Sequence, residues 1–423
     1  VRILFLSRWL PYPADNGSKI RILNLLRILA AQHEVDLLAF ASEDEATRQA
    51  AAAALGERCA SVRFIPYRAF RPSSPAALRG LLSPWPRFLV DTFNRQMAAA
   101  VRARASICPP ALVIASQLDM APYALLTGTP ALLEEIELSN YRDARVRAET
   151  IGRRLRAELT WIKLRVFLQR TLPRFAACTV VSQRERDYLQ QAVPTYDRVA
   201  VIPNAVDLDR YQGDFGQPAI NTLVHAGALS YQANLDAMQY FLGQIFPRVR
   251  AAVGQARLRV TGALPAGARA ALPAAPGVDF TGYVTDIRPV IAQSWLSIAP
   301  LRLGGGTRLK ILESMALGTP VVATPKGAEG LAVEDGRDIL IGATPDDFAR
   351  AVVTLLQSPA LRARLAAAGR QRIETTYNWR SVGRDLCRLV ETLPAAGEHP
   401  AKHAGRVDGA GGVTTGLRRG KRA

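Results

Sequence analysis

The sequence predicts an α/β protein of two doubly wound domains that face each other across a cleft. Short apolar runs alternate with segments whose apolar residues recur at helical spacing, which implies parallel sheets covered on both faces. The alternation stops near residue 203 and begins again near residue 221. A chain of 423 residues, 49% of them hydrophobic, is too long for one compact core and apolar enough to fill two.

In the first half, strands are expected at Arg2–Ser7, Glu34–Phe40, Ser61–Ile65, Ala111–Ala115, Ala131–Glu134, Cys178–Val181 and Val199–Ile202. A helix is expected over Gly17–Ala31, with Ile20, Leu23, Leu26 and Ala30 on one side. Pro203-Asn-Ala-Val-Asp207 punctuates the middle, and Tyr211–Ala219 reads as a linker. The second series has strands at Asn221–Ala226, Ala256–Thr261, Val278–Tyr283, Leu296–Ala299 and Val321–Ala323, with a sixth at Ile339–Ile341. Its helices are expected at Gln232–Val253, Ile287–Gln293, Thr307–Leu317, Pro345–Leu356 and Pro359–Thr376. The expected domains are 1–203 and 204–375. A last helix over 376–393 can return to the first domain. Residues 394–423, rich in Gly, Ala, Arg and Lys, read as a disordered basic tail.

Composition narrows the function classes. No apolar run reaches the ~18 residues that span a bilayer, and Val1–Ser7 is too short for a secretory core. The expected location is cytoplasmic. Cys59, Cys108, Cys178 and Cys387 stand far apart, with no metal-ligand or disulfide pattern. The net charge of +18 fits an arginine-rich chain with a basic tail, or attraction to an anionic membrane or substrate. Nucleic acid is not expected, because zinc-finger spacing, RNP-like strands and basic heptads are missing.

The stretch from Leu296 to Thr324 concentrates the chemistry. A buried strand ends at Pro300, and Gly304, Gly305 and Gly306 form a loop whose backbone can approach a ligand closely. Thr307 is placed to cap the next helix, whose free amides favour an anion. Arg308 and Lys310 bring positive charge to the first turn, unfavourable there unless an anion neutralises it. Glu313 stands where it can accept hydrogen bonds from sugar hydroxyls, and Gly318-Thr-Pro320 stops the helix. The pattern is a diphosphate cradle. It is neither a P-loop nor a Rossmann fingerprint.

This segment resembles the donor-site signature of glycosyltransferase family 4, retaining enzymes of GT-B fold. More narrowly, it resembles the sugar transferases associated with bacterial exopolysaccharide and exosortase loci. Further pieces agree: Pro11-Tyr-Pro-Ala-Asp-Asn-Gly-Ser-Lys-Ile-Arg21, Thr179–Arg186, Val201–Asp207, His225–Asp236 and Thr281-Gly-Tyr-Val-Thr-Asp286. The resemblance covers about residues 1–393. It implies an acceptor-binding first domain and a donor-binding second one. Glu313 would then hold the nucleotide ribose. Arg308 and Lys310 would stabilise the leaving diphosphate, and Gly17 would let the first loop approach the phosphates or the reacting sugar. Gly227 opens the donor domain, and Tyr283 lies in the loop that holds the base. The implied donor is a UDP- or GDP-sugar, with no further cofactor or metal. The implied acceptor is a saccharide or a lipid-linked glycan, and a donor phosphate oxygen can itself take the acceptor's proton.

Two departures stand out. The family's first glutamate of E-x7-E falls at Gly305, and the Arg and Lys often found after the first donor-domain strand are missing from Gly227–Gln232. In the first domain, Glu134-Glu-Ile-Glu137 follows a buried strand, and Glu135 is the candidate to accept the acceptor's proton. Ser116 and Gln117 end a neighbouring strand. Asp207-Leu-Asp209 spells a metal-binding pattern but sits in the inter-domain connection. His399 and His403 lie in the tail, while His225 can line the cleft or pack at its strand end. Arg142–Arg174 holds ten Lys and Arg against three acidic residues, with Leu155, Leu159, Ile162, Val166 and Leu172 interspersed. It reads as a long packed helix with solvated charges, or as a basic helix facing a membrane. The rival functions are a nucleotide-sugar epimerase of the same architecture and a non-catalytic nucleotide-sugar-binding subunit.

Overall fold

A computed structural model describes residues 1–146 and 148–393. The first sheet contains β1 (Arg2–Ser7), β2 (Glu34–Ala41), β3 (Ser61–Pro66), β4 (Leu112–Ser116), β5 (Ala131–Glu134), β6 (Ala177–Val180) and β7 (Val199–Val201), in the order β3-β2-β1-β4-β5-β6-β7. The second contains β8 (Ala219–Ala226), β9 (Arg257–Thr261), β10 (Val278–Gly282), β11 (Ser294–Ala299), β12 (Val321–Ala323) and β13 (Leu340–Ile341), in the order β10-β9-β8-β11-β12-β13. All neighbours pair in parallel. The strand order reverses beside β1 and β4 in one sheet and beside β8 and β11 in the other. In such sheets the crevice at the carboxyl ends of those strands is the ligand site.

The strands are central and therefore apolar. Ile3, Leu4, Phe5 and Leu6 are at most 1% exposed, and their alternate sides feed two different cores. The Trp379–Thr392 helix crosses back to the first domain. Trp379, Val382, Leu386 and Val390 share a core with Ile3, Phe5, Leu25 and Val35. A second tie lies deeper. Arg21, 0% exposed, donates from Nε to Glu134 at 2.7 Å and from Nη1 to Asn204 at 3.1 Å. Ser116 Oγ donates to the other oxygen of Glu134 at 2.9 Å. One buried guanidinium thus joins the first helix (Gly17–Ala30), the ends of β4 and β5, and the connection between domains.

The structure departs from the sequence reading in two spans. The span Gln232–Val253 is not one helix. It opens into a π turn over Phe241–Ile245, just before Pro247, which has no N–H to give to the preceding turn. The basic span 142–174 is two helices, Ser139–Val146 and Ile151–Thr171. The second helix buries Trp161, Leu164, Phe167 and Leu168, while the stripe expected to pack leaves Leu155 66%, Leu159 42% and Ile162 54% exposed. The expected tail, 394–423, lies outside the described residues. Among the described residues, no helix is long and apolar enough to cross a membrane.

Candidate functional site

The cleft is built from loops at the carboxyl ends of both sheets. From the first domain come the start of the Gly17–Ala30 helix and the segments after β4 and β5. From the second come the loops after β8 and β11. The first helix is capped by Asn16, whose side chain accepts from Lys19 N at 3.1 Å. Its first residue lies against the first residue of the Leu309–Ala316 helix: a Cβ on Gly17 would sit 3.4 Å from Leu309 Cδ1. Two positive helix ends therefore meet at the cleft.

The glycine loop is shaped by an arginine. Arg308, 7% exposed, folds back and donates to Gly305 O at 2.8 Å and Gly304 O at 2.6 Å. A weaker bond reaches Lys326 O at 3.3 Å. The expectation that Thr307 caps the helix is not met. The helix begins at Leu309, its cap position is Arg308, and no side chain closes its first amides. Leu309 N and Ile311 N already donate to Thr307 O at 3.0 Å and Arg308 O at 2.9 Å, which leaves the Lys310 amide for a ligand, and Thr307 lines the hollow beside it.

Lys310 reaches the segment that follows β8. Its Nζ donates to Asn234 Oδ1 at 2.7 Å. Burial, and then the charge of Arg308, push its ammonium down to about 7. Gly227 permits this arrangement. Its φ is +149°, and a Cβ there would lie 2.8 Å from Lys310 Nζ and 2.7 Å from Asn234 Nδ2. His225 lies underneath, 0% exposed, with Nδ1 3.3 Å from Ile298 O. It packs at its strand end and does not line the cleft. Burial and Lys310 hold it well below the ordinary histidine range.

Glu313 faces a separate hollow of about 860 Å³, open to solvent. Its Oε1 accepts from Tyr211 Oη at 2.9 Å, and burial raises its carboxyl above the usual range. Tyr211 stands at the end of a short 3-10 turn, inside the span read as a linker; nothing local in the sequence marked it. The loop side of the hollow is Thr285, Asp286, Ile287 and Arg288. Tyr283, expected in that place, is 80% exposed and is not among the residues that line the hollow. Asp209, half of the aspartate pair, is bound by Arg380 at 2.6 Å.

Across the cleft, Gln117 and Glu135 are both held at positive φ, +73° and +60°. Gln117 Nε2 donates to Glu135 Oε2 at 3.1 Å. Two adjacent strand ends in the left-handed region store strain of a kind that collects at functional sites. Burial and the neighbouring Glu134 hold the Glu135 carboxyl well above the usual range. Beside them, Glu137, Ser139 and Asn140 meet the glycine loop directly. Ion pairs at the rim span the domains, Lys326 with Asp143 at 2.5 Å and Arg184 with Glu329 at 2.6 Å. Sequence patterning had no means of finding these, since each pair is formed by chain folding over long separations.

Known proteins agree with this architecture. Residues 16–205 match the model described as "Glycosyl transferase 4-like domain", and residues 220–358 match "Glycosyl transferases group 1". A GDP-mannose-dependent monoacylated alpha-(1-6)-phosphatidylinositol monomannoside mannosyltransferase of Corynebacterium glutamicum is 27% identical over 135 residues, 30% of this chain and 35% of that one. A phosphatidyl-myo-inositol mannosyltransferase of Mycobacterium leprae is 31% identical over 124 residues, 28% of this chain and 33% of that one. The chain thus matches about a third of the length of these curated relatives. Among solved structures, HepE of Anabaena in complex with UDP and glucose superposes with a TM-score of 0.62 at 15% identity, covering 93% of this chain and 100% of that one. Sucrose-phosphate synthase of Thermosynechococcus elongatus gives 0.66 at 17% identity, covering 92% and 98%. These structural likenesses carry the GT-B fold. Because the two family models divide the chain where its two sheets divide it, and together take in most of its length, the chain belongs to the glycosyltransferases of group 1 with a 4-like first domain.

Proposed function

We propose that the protein transfers a sugar, with retention, from a UDP- or GDP-sugar to a saccharide or lipid-linked acceptor in bacterial exopolysaccharide or cell-surface glycan synthesis. The first domain (1–203) holds the acceptor and the second (204–375) the donor. One observation carries the reading. A helix start with no side-chain cap, a glycine loop and the Lys310 ammonium converge at the carboxyl ends of β8 and β11, with the Glu313 carboxylate about one turn further along the helix. That set matches a nucleotide diphosphate: amides and a cation for the phosphates, a carboxylate for ribose hydroxyls. The mannosyltransferase relatives and the UDP complexes of HepE support the donor class.

Chemistry follows from where charge develops. The bond from the anomeric carbon to the phosphate oxygen breaks, and its electron pair leaves with the diphosphate. The acceptor oxygen bonds to the same carbon, and its proton passes to a donor phosphate oxygen or to Glu135. Preorganised amides and Lys310 stabilise the departing charge. Arg308 contributes by fixing the glycine loop and by its field, because its hydrogen bonds are spent on loop carbonyls. A carboxyl raised toward neutrality, as in Glu135, is tuned for proton transfer near pH 7.

The exposed stripe Leu155, Leu159 and Ile162 favours the membrane-facing reading of the basic helix over the packed one. Lys163 Nζ joins it to Gly80 O at 2.8 Å and Leu81 O at 2.7 Å. Leu81 and Leu82 beside it are 45% and 94% exposed. Apolar side chains among arginines suit a bilayer of anionic lipid. The protein should sediment with phosphatidylglycerol-containing vesicles and not with phosphatidylcholine alone. Changing Leu155, Leu159 and Ile162 together to Ser should release it. Equal recovery with both vesicle types would refute the docking.

Two measurements probe the donor site. Glu313→Ala should weaken UDP or GDP binding about ten- to a hundredfold, the worth of one charged hydrogen-bond acceptor. Unchanged affinity in calorimetry would remove the ribose assignment. Lys310 supplies a pH test. Its pKa is depressed to about 7 by burial and by Arg308, and an arriving diphosphate raises it. Above pH 7, nucleotide binding should take up a proton, visible as a binding enthalpy that varies with the ionisation enthalpy of the buffer. Lys310→Gln should abolish that variation. A buffer-independent enthalpy in the wild type would mean that Lys310 does not meet the phosphates.

A further inference from the structure

Position 305 is crowded from the opposite domain. A Cβ on Gly305 would lie 2.6 Å from Ser139 Oγ, 2.6 Å from Asn140 Oδ1 and 2.7 Å from Glu137 Oε1. A Cβ on Gly306 would lie 3.3 Å from the same Glu137 oxygen. A side chain at 305 would oblige this wall to move, and glycine leaves it where it stands.

The wall is polar, and it is not satisfied by the protein. Glu137 Oε1 and Ser139 Oγ are buried with no hydrogen-bond partner among the described residues. Ser139 is only 5% exposed. An unpaired buried polar atom is costly, so two of them side by side point to a partner from outside the chain. Their positions are fixed in advance. The Glu185 carboxylate accepts from Leu138 N at 2.6 Å and Ser139 N at 3.1 Å, and Ser182 Oγ accepts from Glu185 N at 3.2 Å. Burial, with Glu185 close by, pushes the Glu137 carboxyl up to about 7.

The identity of the partner follows from charge. Glu137 repels phosphate, so the diphosphate belongs at the Lys310 end of the glycine loop. What meets the Glu137 end must offer hydroxyl donors and follow the phosphates along the loop. A hexosyl group linked to the diphosphate does both. We infer that Glu137 and Ser139 bind hydroxyls of the transferred sugar, reaching from the domain opposite the one that grips its nucleotide. This rests on the donor-site reading above. The resemblance places a glutamate at position 305. Here the carboxylate at that point in space comes from residue 137 instead, so sugar recognition depends on the two domains closing.

The test uses the full chain and four probes: UDP, UDP-glucose, GDP and GDP-mannose, with dissociation constants from calorimetry. Glu137→Gln keeps size and should retain the wild-type melting temperature. It should weaken the better-bound nucleotide sugar about ten- to a hundredfold, with bare nucleotide affinity unchanged. Gly305→Glu alone should lose nucleotide-sugar binding. The double change Gly305→Glu with Glu137→Ala should recover part of it, because the new carboxylate enters the vacated space. The proposal is overturned if Glu137→Gln leaves the sugar contribution intact, or if Gly305→Glu is tolerated while Glu137 remains. Equal losses for sugar and bare nucleotide in Glu137→Gln would also overturn it. Failure of all four probes to bind the wild type would instead defeat the donor-site reading, and this inference with it.

Discussion

Everything at the cleft depends on a guanidinium that water cannot reach. Arg21 is held by Glu134 and Asn204 inside the first domain, and Ser116 completes the carboxylate's shell. A buried ion pair of this kind adds little net stability, yet losing one partner costs about 3–5 kcal/mol, since the other is left charged and dry. The pair is better understood as a device for position. It fixes the carboxyl end of β5, and the next residue, Glu135, turns into the left-handed region from that fixed point. Two residues further, Glu137 reaches the glycine loop. Asn204 brings the inter-domain connection into the same arrangement.

The cleft is electrostatically unfinished. Lys310 is pushed down by burial, and Glu135 and Glu137 are pushed up. The sign of the consequence is definite. A carboxyl whose folded pKa exceeds its unfolded value weakens the fold as pH rises through the interval between them, about 4.5 to 7 for Glu137. A lysine depressed to about 7 weakens it below its unfolded pKa, increasingly so as pH falls towards 7, and in full below that. Near neutrality both costs apply together. Such tension belongs to a site whose charges await a ligand.

Much of this was legible in the sequence. Strand positions followed from apolar runs, because parallel strands are buried on both faces and tolerate little else. The glycine loop, Lys310 and Glu313 stood out because their chemistry is local to one strand–loop–helix unit. What escaped notice was set by tertiary contact. Thr307 has the residue type of a cap, but Arg308 tightens the loop and delays the helix by two residues. Tyr283 lies in the same loop as Thr285 and Asp286 but is exposed, and the hollow is lined by those neighbours. Leu155, Leu159 and Ile162 have the spacing of a packed stripe, and only the fold shows that the helix buries its other face. Gly305 looked like a lost glutamate; the structure explains its small size by what stands opposite.

Under the proposed function, the glycine loop and Lys310 grip the second phosphate of a nucleotide. Calorimetric titration of the wild-type protein with UDP against UMP, and GDP against GMP, addresses it without any need for the acceptor. For the preferred base, the diphosphate should bind at least about tenfold more tightly than the monophosphate, the worth of one charge-assisted contact. Equal affinities for diphosphate and monophosphate would contradict the account, because the loop and its lysine would then be touching no phosphate that matters.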